Sequence, residues 1–248
     1  MQRVLCPLRH PPMAYMYCLA DFFNLDLWPS GREPGYRDVR DGLEDLIEAA
    51  VSVDDSAPDE LAIRLYGGWH GEVPATRVLL REVTEAVLRA YPRRLGRCRL
   101  RIEIADAPVW DASLRLLNSA RRVPMRSQPY QFLLPDSCPH NGSCTLRDLR
   151  IWTKGRCPDS GCAVTVGEVG WRYRQKMVDT LLAVDALIIK RDSLADTVII
   201  ASDDDDMIPV LLAVCDPAIK TVHLRRRGGA DAYYAALLAT KGVETRTW

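Results

Sequence analysis

The fold class of this 248-residue chain is decided by one stretch, TVIIASDDDD at residues 197–206. Its first five residues form an apolar, β-branched run, which is typical of a strand buried on both faces of a parallel sheet. Ser202 and then four aspartates follow, before a predicted helix at 208–215. Residues 15–20 form a second apolar run, which stops at Asp21. We therefore predict two buried parallel strands that bring carboxylates to the same edge of one sheet.

Strands and helices alternate along most of the remaining chain. Further strands are predicted at 61–66, 99–104, 221–224 and 243–247, and further helices at 39–53, 75–91, 171–190 and 230–240. This alternation predicts an α/β fold with a doubly wound, mostly parallel sheet and helices on both faces. We expect one domain over residues 1–248, interrupted by a cysteine-rich insertion at 135–163.

The composition is that of an ordinary globular protein. Lys plus Arg and Asp plus Glu number 33 each, and 48% of the residues are hydrophobic. The apolar runs are far shorter than the roughly 18 residues that span a bilayer, so we expect no export and no membrane insertion. Eight cysteines without a secretion signal favour a reducing, cytoplasmic location. No glycine-rich phosphate loop is present, so no ATP or NAD is expected.

Acidic residues from three segments are expected at one edge of the sheet: Asp21, Asp179 near the beginning of a helix, and the aspartates at 203–206. Two carboxylates about 5 Å apart repel by roughly 3 kcal/mol at an effective dielectric of about 20. A divalent cation such as Mg²⁺ or Mn²⁺ would neutralise them and suits phosphodiester hydrolysis. A second interpretation stays open, because acids after a strand often cap the next helix, and Asp179 can pair with Lys176 or an arginine.

Three short motifs occur in a fixed order along the chain. In the first, Asp21 ends a strand and Asn24 follows it; in the second, Lys176 is followed by Asp179 and Asp185. The third is the segment 202–209, SDDDDMIP. Together these motifs resemble the NYN family of the PIN-like nuclease superfamily. The resemblance covers residues 15–66 and 171–248, and the third motif is the most specific.

The resemblance implies a PIN-like fold and a metal-dependent endoribonuclease that hydrolyses single-stranded or structured RNA. It implies that the Mg²⁺ or Mn²⁺ ligands and catalytic residues are Asp21, Asp179, Asp204 and Asp206. Asn24 and Ser202 would shape the pocket, beside Lys176 from the second motif. Two positions depart from the family pattern, since Asp203 replaces a glycine and Met207 an aromatic residue.

Clusters of basic residues flank the motifs and are candidates for phosphate contacts. They are Arg172, Arg174, Arg225, Arg226 and Arg227. A further group of five arginines lies between positions 93 and 101, where solvated surface charge is the simpler interpretation. The sequence leaves open whether the chain forms a homodimer.

A cysteine cluster in the insertion predicts a structural zinc site. Its four thiols are Cys138, Cys144, Cys157 and Cys162, with spacers of five, twelve and four residues. Paired cysteines on tight turns can present four thiolates to Zn²⁺. These spacings are wider than in common zinc knuckles, so unliganded thiols remain the alternative.

Two other functions are open to a chain with these motifs. One is an inactive or weakly active NYN-fold module that binds RNA or a protein and regulates it. The other is a different Mg²⁺-dependent phosphotransfer fold. A Toprim site needs a glutamate after its first strand, and a haloacid-type phosphatase needs a second aspartate two residues after Asp21. Position 23 is phenylalanine, and neither requirement is met.

Overall fold

The computed structural model describes residues 14–27, 34–54, 56–73, 75–124, 131–132, 170–228 and 231–248. They belong to two compact units. The first unit is formed within Met1–Gly67, Thr76–Leu116 and Met177–Trp248, and the second within Gly68–Ala75 and Leu117–Lys176. The cysteine-rich segment 135–163, with its predicted zinc ligands, lies outside the described residues.

The described strands and helices alternate over most of the chain. The strands are β1 (Tyr15–Asp21), β2 (Glu60–Tyr66), β3 (Arg94–Leu95), β4 (Cys98–Ile104), β5 (Ala120–Pro124), β6 (Gln131–Phe132), β7 (Gly170–Gln175), β8 (Thr197–Ala201), β9 (Lys220–Arg225) and β10 (Glu244–Thr247). The helices are α1 (Tyr36–Val51), α2 (Ala75–Ala90), α3 (Val178–Arg191), α4 (Ile208–Val214) and α5 (Ala232–Thr240). A 3₁₀ turn at Asp205–Met207 precedes α4.

The first unit is built around a seven-stranded sheet, in the order β10-β9-β8-β1-β2-β4-β3 among the described residues. All its neighbouring pairs are parallel except β3 with β4. Cys18, Leu19 and Ala20 of β1 are all fully buried although they point alternately to opposite faces, so both faces of the central strand are covered. The predicted α/β class with a mostly parallel sheet is confirmed. None of the described helices combines the length and apolar character needed to cross a bilayer.

The predicted helix over residues 171–190 is wrong in its first part. Residues Gly170–Gln175 form strand β7, which pairs antiparallel with both β5 and β6 in a three-stranded sheet of the second unit. Met177 adopts a left-handed conformation with φ of 63°, and α3 begins only at Val178. The helix prediction failed because strand pairing with residues some 50 positions away outweighed local helical spacing.

The turn that follows β1 is fixed by burial and by close backbone packing. Phe22, Leu25 and Leu27 are almost completely buried. The turn lies so close to α1 that a Cβ atom added at Gly42 would be 2.0 Å from the carbonyl oxygen of Leu27. A glycine is therefore required in α1 at the point where the turn packs, and the turn holds the end of β1 in place.

Asp185 of α3 belongs to a buried polar network. Its side chain is fully buried and accepts hydrogen bonds from the Tyr66 hydroxyl at 2.7 Å and from the Val109 backbone N–H at 2.8 Å. Arg64 forms an ion pair with it at 3.3 Å and also pairs with Glu103. The structure thus gives Asp185 a structural role, which attaches α3 to β2 and β4.

We expect Asp185→Ala to lower the free energy of unfolding by about 2–4 kcal/mol, because the change leaves buried donors of this network without their acceptor. Urea denaturation followed by circular dichroism measures the effect. Asp192→Ala is the control, since Asp192 pairs with Arg191 on the surface and its loss should cost less than about 1 kcal/mol. Equal effects of the two substitutions would contradict a structural role for the network.

Candidate functional site

The four aspartates after β8, here called the aspartate run (residues 203–206), begin from a tightly held turn. Ser202 is fully buried, and its hydroxyl oxygen accepts a hydrogen bond from the Asp204 N–H at 3.1 Å. The Asp204 carboxylate in turn accepts one from the Asp206 N–H at 2.9 Å. Asp204 therefore caps the 3₁₀ turn at Asp205–Met207 with one oxygen, as the capping interpretation predicted for part of the run.

Two of the four carboxylates, at alternate positions, are bonded to the end of β9. The Asp203 carboxylate accepts hydrogen bonds from the backbone N–H groups of Arg226 at 2.8 Å and Arg227 at 3.1 Å. The Asp205 carboxylate forms an ion pair with the Arg225 guanidinium at 2.6 Å. Arg225 also donates to the Asp203 carbonyl oxygen at 2.6 Å. Asp203 thus attaches the turn after β8 to the chain after β9.

The other two carboxylates of the run interact with acids from other elements. Neither Asp204 nor Asp206 has an ion-pair partner among the described residues. Both raise the pKa of Asp179 through charge repulsion, after burial, which is the larger cause. Asp204 also raises the pKa of Asp21. We call Asp21, Asp179, Asp204 and Asp206 the acidic cluster, since their charges interact across β1, α3 and the aspartate run.

Asp21 is the most strongly perturbed member of the acidic cluster. Only 6% of its surface is exposed, and burial raises its pKa from 3.8 to about 6. Hydrogen bonds from Asn24 oppose this rise, while repulsion from Asp179 and Asp204 adds to it. The Asn24 backbone N–H lies 3.4 Å from the Asp21 carboxylate. Asn24 therefore acts on Asp21 directly, as the closest described hydrogen-bond donor.

Asp179 reaches the cluster from the first turn of α3. The left-handed Met177 reverses the chain immediately before the helix, so that the helix begins with Asp179 in its positively polarised first turn. Position in that turn favours a carboxylate by a few tenths to 1 kcal/mol. Partial burial and the nearby acids act in the opposite direction and raise its pKa.

The acidic cluster is not a ready-made chelate. Within the described residues, no group of three or more His, Cys, Asp or Glu side chains is arranged closely enough to hold a metal ion. Asp204 repels both Asp21 and Asp179, and Asp206 repels Asp179. No described arginine or lysine forms an ion pair with Asp204 or Asp206. Their oxygen atoms are nevertheless the ligand type that Mg²⁺ and Mn²⁺ prefer.

The basic residues predicted to contact phosphate have different surroundings. Arg225 is buried in its pair with Asp205. Arg226 donates to the carbonyl oxygens of Leu25 and Asp26, at 3.1 and 2.7 Å. The side chains of Arg225 and Arg226 thus have structural roles, since both bond to other segments of the protein. Arg227 pairs with Asp26 but keeps 64% of its side chain exposed, which leaves it accessible to a phosphate.

The remaining predicted basic residues belong to the second unit. Arg172 and Arg174 lie in β7, and Lys176 follows that strand. Arg174 is exposed. Repulsion from Arg121 and Arg174 lowers the pKa of Lys176. Lys176 is therefore part of a positively charged patch on the second unit, together with Arg121 and Arg174.

One cation beside the turn that follows β1 was not predicted from the sequence. The Arg77 guanidinium lies over the Phe23 ring, 4.2 Å from the ring centroid. Phe23 lies two residues after Asp21 in the chain. The Arg77 Nη1 atom is buried without a hydrogen-bond partner among the described residues, and burial lowers the pKa of Arg77. A sequence signal existed, because α2 follows β2 and so begins at the edge of the sheet where β1 ends. Arg77 is a candidate phosphate contact.

Comparison of the chain with models of known protein families, with functionally described proteins and with solved structures finds no match. The geometry of the acidic cluster and the resemblance in its motifs are therefore the basis for assigning a function.

We expect Asp21→Asn to stabilise the fold at pH 7.5. A folded-state pKa of about 6 against 3.8 means that the ionised carboxylate costs stability above pH 6, by roughly 3 kcal/mol at most. The cost disappears as the carboxylate is protonated, so the gain should shrink as the pH falls from 7 towards 4. Urea denaturation at pH 7.5, 6 and 4.5 measures it. A variant that is less stable than the wild type at pH 7.5 would show that Asp21 has a neutralising partner.

Proposed function

We propose that this chain is a divalent-metal-dependent ribonuclease with a PIN-like fold, whose metal and catalytic residues are the acidic cluster. One observation carries the proposal. Within four consecutive aspartates, Asp203 and Asp205 are bonded to the chain at the end of β9, whereas Asp204 and Asp206 have no ion pair among the described residues and perturb Asp179. Pairing with the chain at the end of β9 therefore accounts for Asp203 and Asp205 and leaves the charges of Asp204 and Asp206 without a counter-ion among the described residues.

Energetics support a cation as the missing partner. Repulsion from Asp204 raises the pKa values of both Asp21 and Asp179. Two carboxylates about 5 Å apart would repel by roughly 3 kcal/mol, against a domain's net stability of about 5–15 kcal/mol. Proteins keep such clusters where a ligand repays the cost. Asp21, Asp179, Asp204 and Asp206 offer hard oxygen ligands, so they fit Mg²⁺ or Mn²⁺ better than a softer metal. A bound divalent ion would supply an acidic water and charge neutralisation for a phosphate.

The chain's own residues divide the remaining tasks. Asn24 orients the Asp21 carboxylate through its backbone hydrogen bond, and Ser202 holds the turn that presents Asp204. Asp21, buried at the end of β1, would be a ligand whose charge the bound cation neutralises. Arg77, beside Phe23, would contact a phosphate oxygen at the approach to the cluster.

RNA is proposed as the substrate from the resemblance to the NYN family. The order of its three motifs agrees with the position of the acids at the ends of β1 and β8, which are neighbours in the sheet. That placement is the one expected for a reactive site in an open parallel sheet. Exposed Arg227 and the positive patch of Arg121, Arg174 and Lys176 are further candidate contacts to RNA, as is Arg172 of β7.

The alternation in the aspartate run gives a matched test of the catalytic assignment. We expect Asp204→Asn and Asp206→Asn each to reduce cleavage of a labelled single-stranded RNA in 5 mM Mn²⁺ by at least a hundredfold. Asp205→Asn is the control, because it removes the same charge from the same turn but from the pair with Arg225. It should change the rate less than fivefold, because the amide oxygen of asparagine still accepts the hydrogen bond from Arg225 and the contacts of Asp203 keep the turn anchored. Gel electrophoresis of the products, beside duplex RNA and DNA, provides the measurement.

Each outcome has a clear meaning. Equal activity in all three variants would indicate a contaminating nuclease or a site elsewhere. RNA binding without cleavage by the wild-type protein would favour the inactive regulatory module over the enzyme.

We also expect Mn²⁺ to raise the melting temperature of the wild-type protein at pH 7.5, because an ion that binds only the folded state stabilises it by mass action. The double variant Asp204→Asn/Asp206→Asn should lose the shift, while Asp205→Asn should keep it. Differential scanning fluorimetry with 0–5 mM Mn²⁺, and the same series with EDTA, measures the effect. An equal shift in all proteins would place the metal outside the acidic cluster.

A further inference from the structure

A hairpin at the edge of the seven-stranded sheet carries a concentration of positive charge. Residues 89–101 contain six arginines and no acidic residue. β3 and β4 pair antiparallel there, with Arg94 opposite Arg99. We call residues 93–101 the arginine hairpin. Its arginines are all exposed: Arg93, Arg94, Arg97, Arg99 and Arg101.

The charges of the arginine hairpin are largely unneutralised. Arg93, Arg94 and Arg97 form no ion pair with any described residue. Arg99 lies 3.8 Å from the Glu60 carboxylate but keeps 70% of its side chain exposed. Arg101 donates to the Tyr17 hydroxyl at 2.7 Å, which is an uncharged partner. The hairpin therefore presents a surface of one sign to the solvent.

Protection of the sheet edge does not account for this charge. Charged side chains on an edge strand prevent pairing with another chain, but one or two serve that purpose. Five arginines within nine positions repel one another, and they contribute little to the core, which the hairpin reaches through Cys98 and Leu100. A polyanionic partner would turn this repulsion into attraction.

The shape of the surface favours a binding partner with groups small enough to enter a cleft. Between the end of α2 and β4 lies a cleft of about 310 Å³, lined by three of the arginines (Arg93, Arg99 and Arg101) together with Tyr91. A phosphate with its sugar fits such a cleft, whereas a flat bilayer surface does not enter it. Arg99 and Arg101 are about 7 Å apart along the strand, which is close to the spacing of successive phosphates in an extended nucleic acid strand.

The arginine hairpin is remote from the acidic cluster, because Arg99 lies near the beginning of β4 and Asp21 lies at the end of β1. Arg99 is in register with Glu60 of β2, and Glu60 with Tyr15 of β1. Asp21 lies six residues further along β1, which is roughly 20 Å in the strand direction. An RNA strand of several nucleotides spans that distance, and a single nucleotide does not.

We infer that the arginine hairpin is a second RNA-binding surface, which holds the phosphate backbone of a single strand away from the acidic cluster. The choice of RNA rests on the proposed function; the charge and the cleft themselves call for a chain of phosphates. Guanidinium groups bind phosphate through paired N–H donors, which favours arginine over lysine at such a surface.

The test compares Arg93→Gln/Arg99→Gln with the control Arg37→Gln/Arg191→Gln, which removes two exposed arginines from α1 and α3. Binding of a fluorescein-labelled 20-nucleotide RNA is measured by anisotropy in EDTA, so that no cleavage is needed. We expect the hairpin variant to bind about tenfold more weakly at 100 mM salt than the control. The slope of the logarithm of the association constant against the logarithm of the salt concentration is negative. Its magnitude should decrease by roughly 1.4, because two phosphate contacts are lost. Arg93→Lys/Arg99→Lys should recover part of the affinity.

The outcomes separate this inference from the proposed function. Hairpin-dependent RNA binding by a protein that cleaves nothing supports the surface and removes the nuclease. Cleavage and binding that are equally insensitive to both double variants overturn the surface and leave the nuclease. Parallel titrations use phosphatidylserine vesicles and poly-glutamate. Loss of either interaction in the hairpin variant, with RNA binding unchanged, would also overturn the inference.

Discussion

The pairing of Asp203 and Asp205 with the end of β9 is the constraint on which the arrangement of this site depends. Arg225 donates to the Asp205 carboxylate and to the Asp203 carbonyl oxygen, while Asp203 accepts two backbone N–H groups. These contacts give two of the four consecutive carboxylates a partner, a guanidinium for Asp205 and two backbone N–H groups for Asp203, and they fix the backbone of the turn. Asp204 and Asp206 are left to interact with the acids of β1 and α3. Without this anchoring, repulsion within the run would favour an open, mobile turn.

The buried and closely placed acids of the site lower the stability of the folded state, and contacts elsewhere in the fold offset this loss. Burial and neighbouring acids raise the pKa values of Asp21 and Asp179, so ionising them at neutral pH destabilises the folded state. The buried network around Asp185 and the apolar turn after β1 stabilise the elements that hold these acids. Such a division is common at functional sites, where local strain persists because the surrounding structure enforces it.

Much of the fold followed from local pattern. Apolar runs that end in acid predicted β1 and β8, since strands buried on both faces need a continuous apolar sequence. The helix prediction over residues 171–190 failed at its beginning, because β7 depends on partners far away in the chain. The hairpin of β3 and β4 was missed for a related reason: a two-residue strand has no periodicity to detect, and only its pairing with Arg99 defines it.

The sequence by itself determined which acids follow strands, their order and the resemblance that selects Asp21, Asp179, Asp204 and Asp206. Only the tertiary structure decided which carboxylates in the run are neutralised, because Arg225–Arg227 are about twenty residues distant and reach the turn through strand pairing. The tertiary structure also decided that Arg225 and Arg226 bind carboxylate and carbonyl groups of the protein itself. It likewise placed Arg77 beside Phe23. Residue type fixes the charge that a side chain carries, whereas its partner, and hence its pKa and its availability to a ligand, depends on the packing of distant segments.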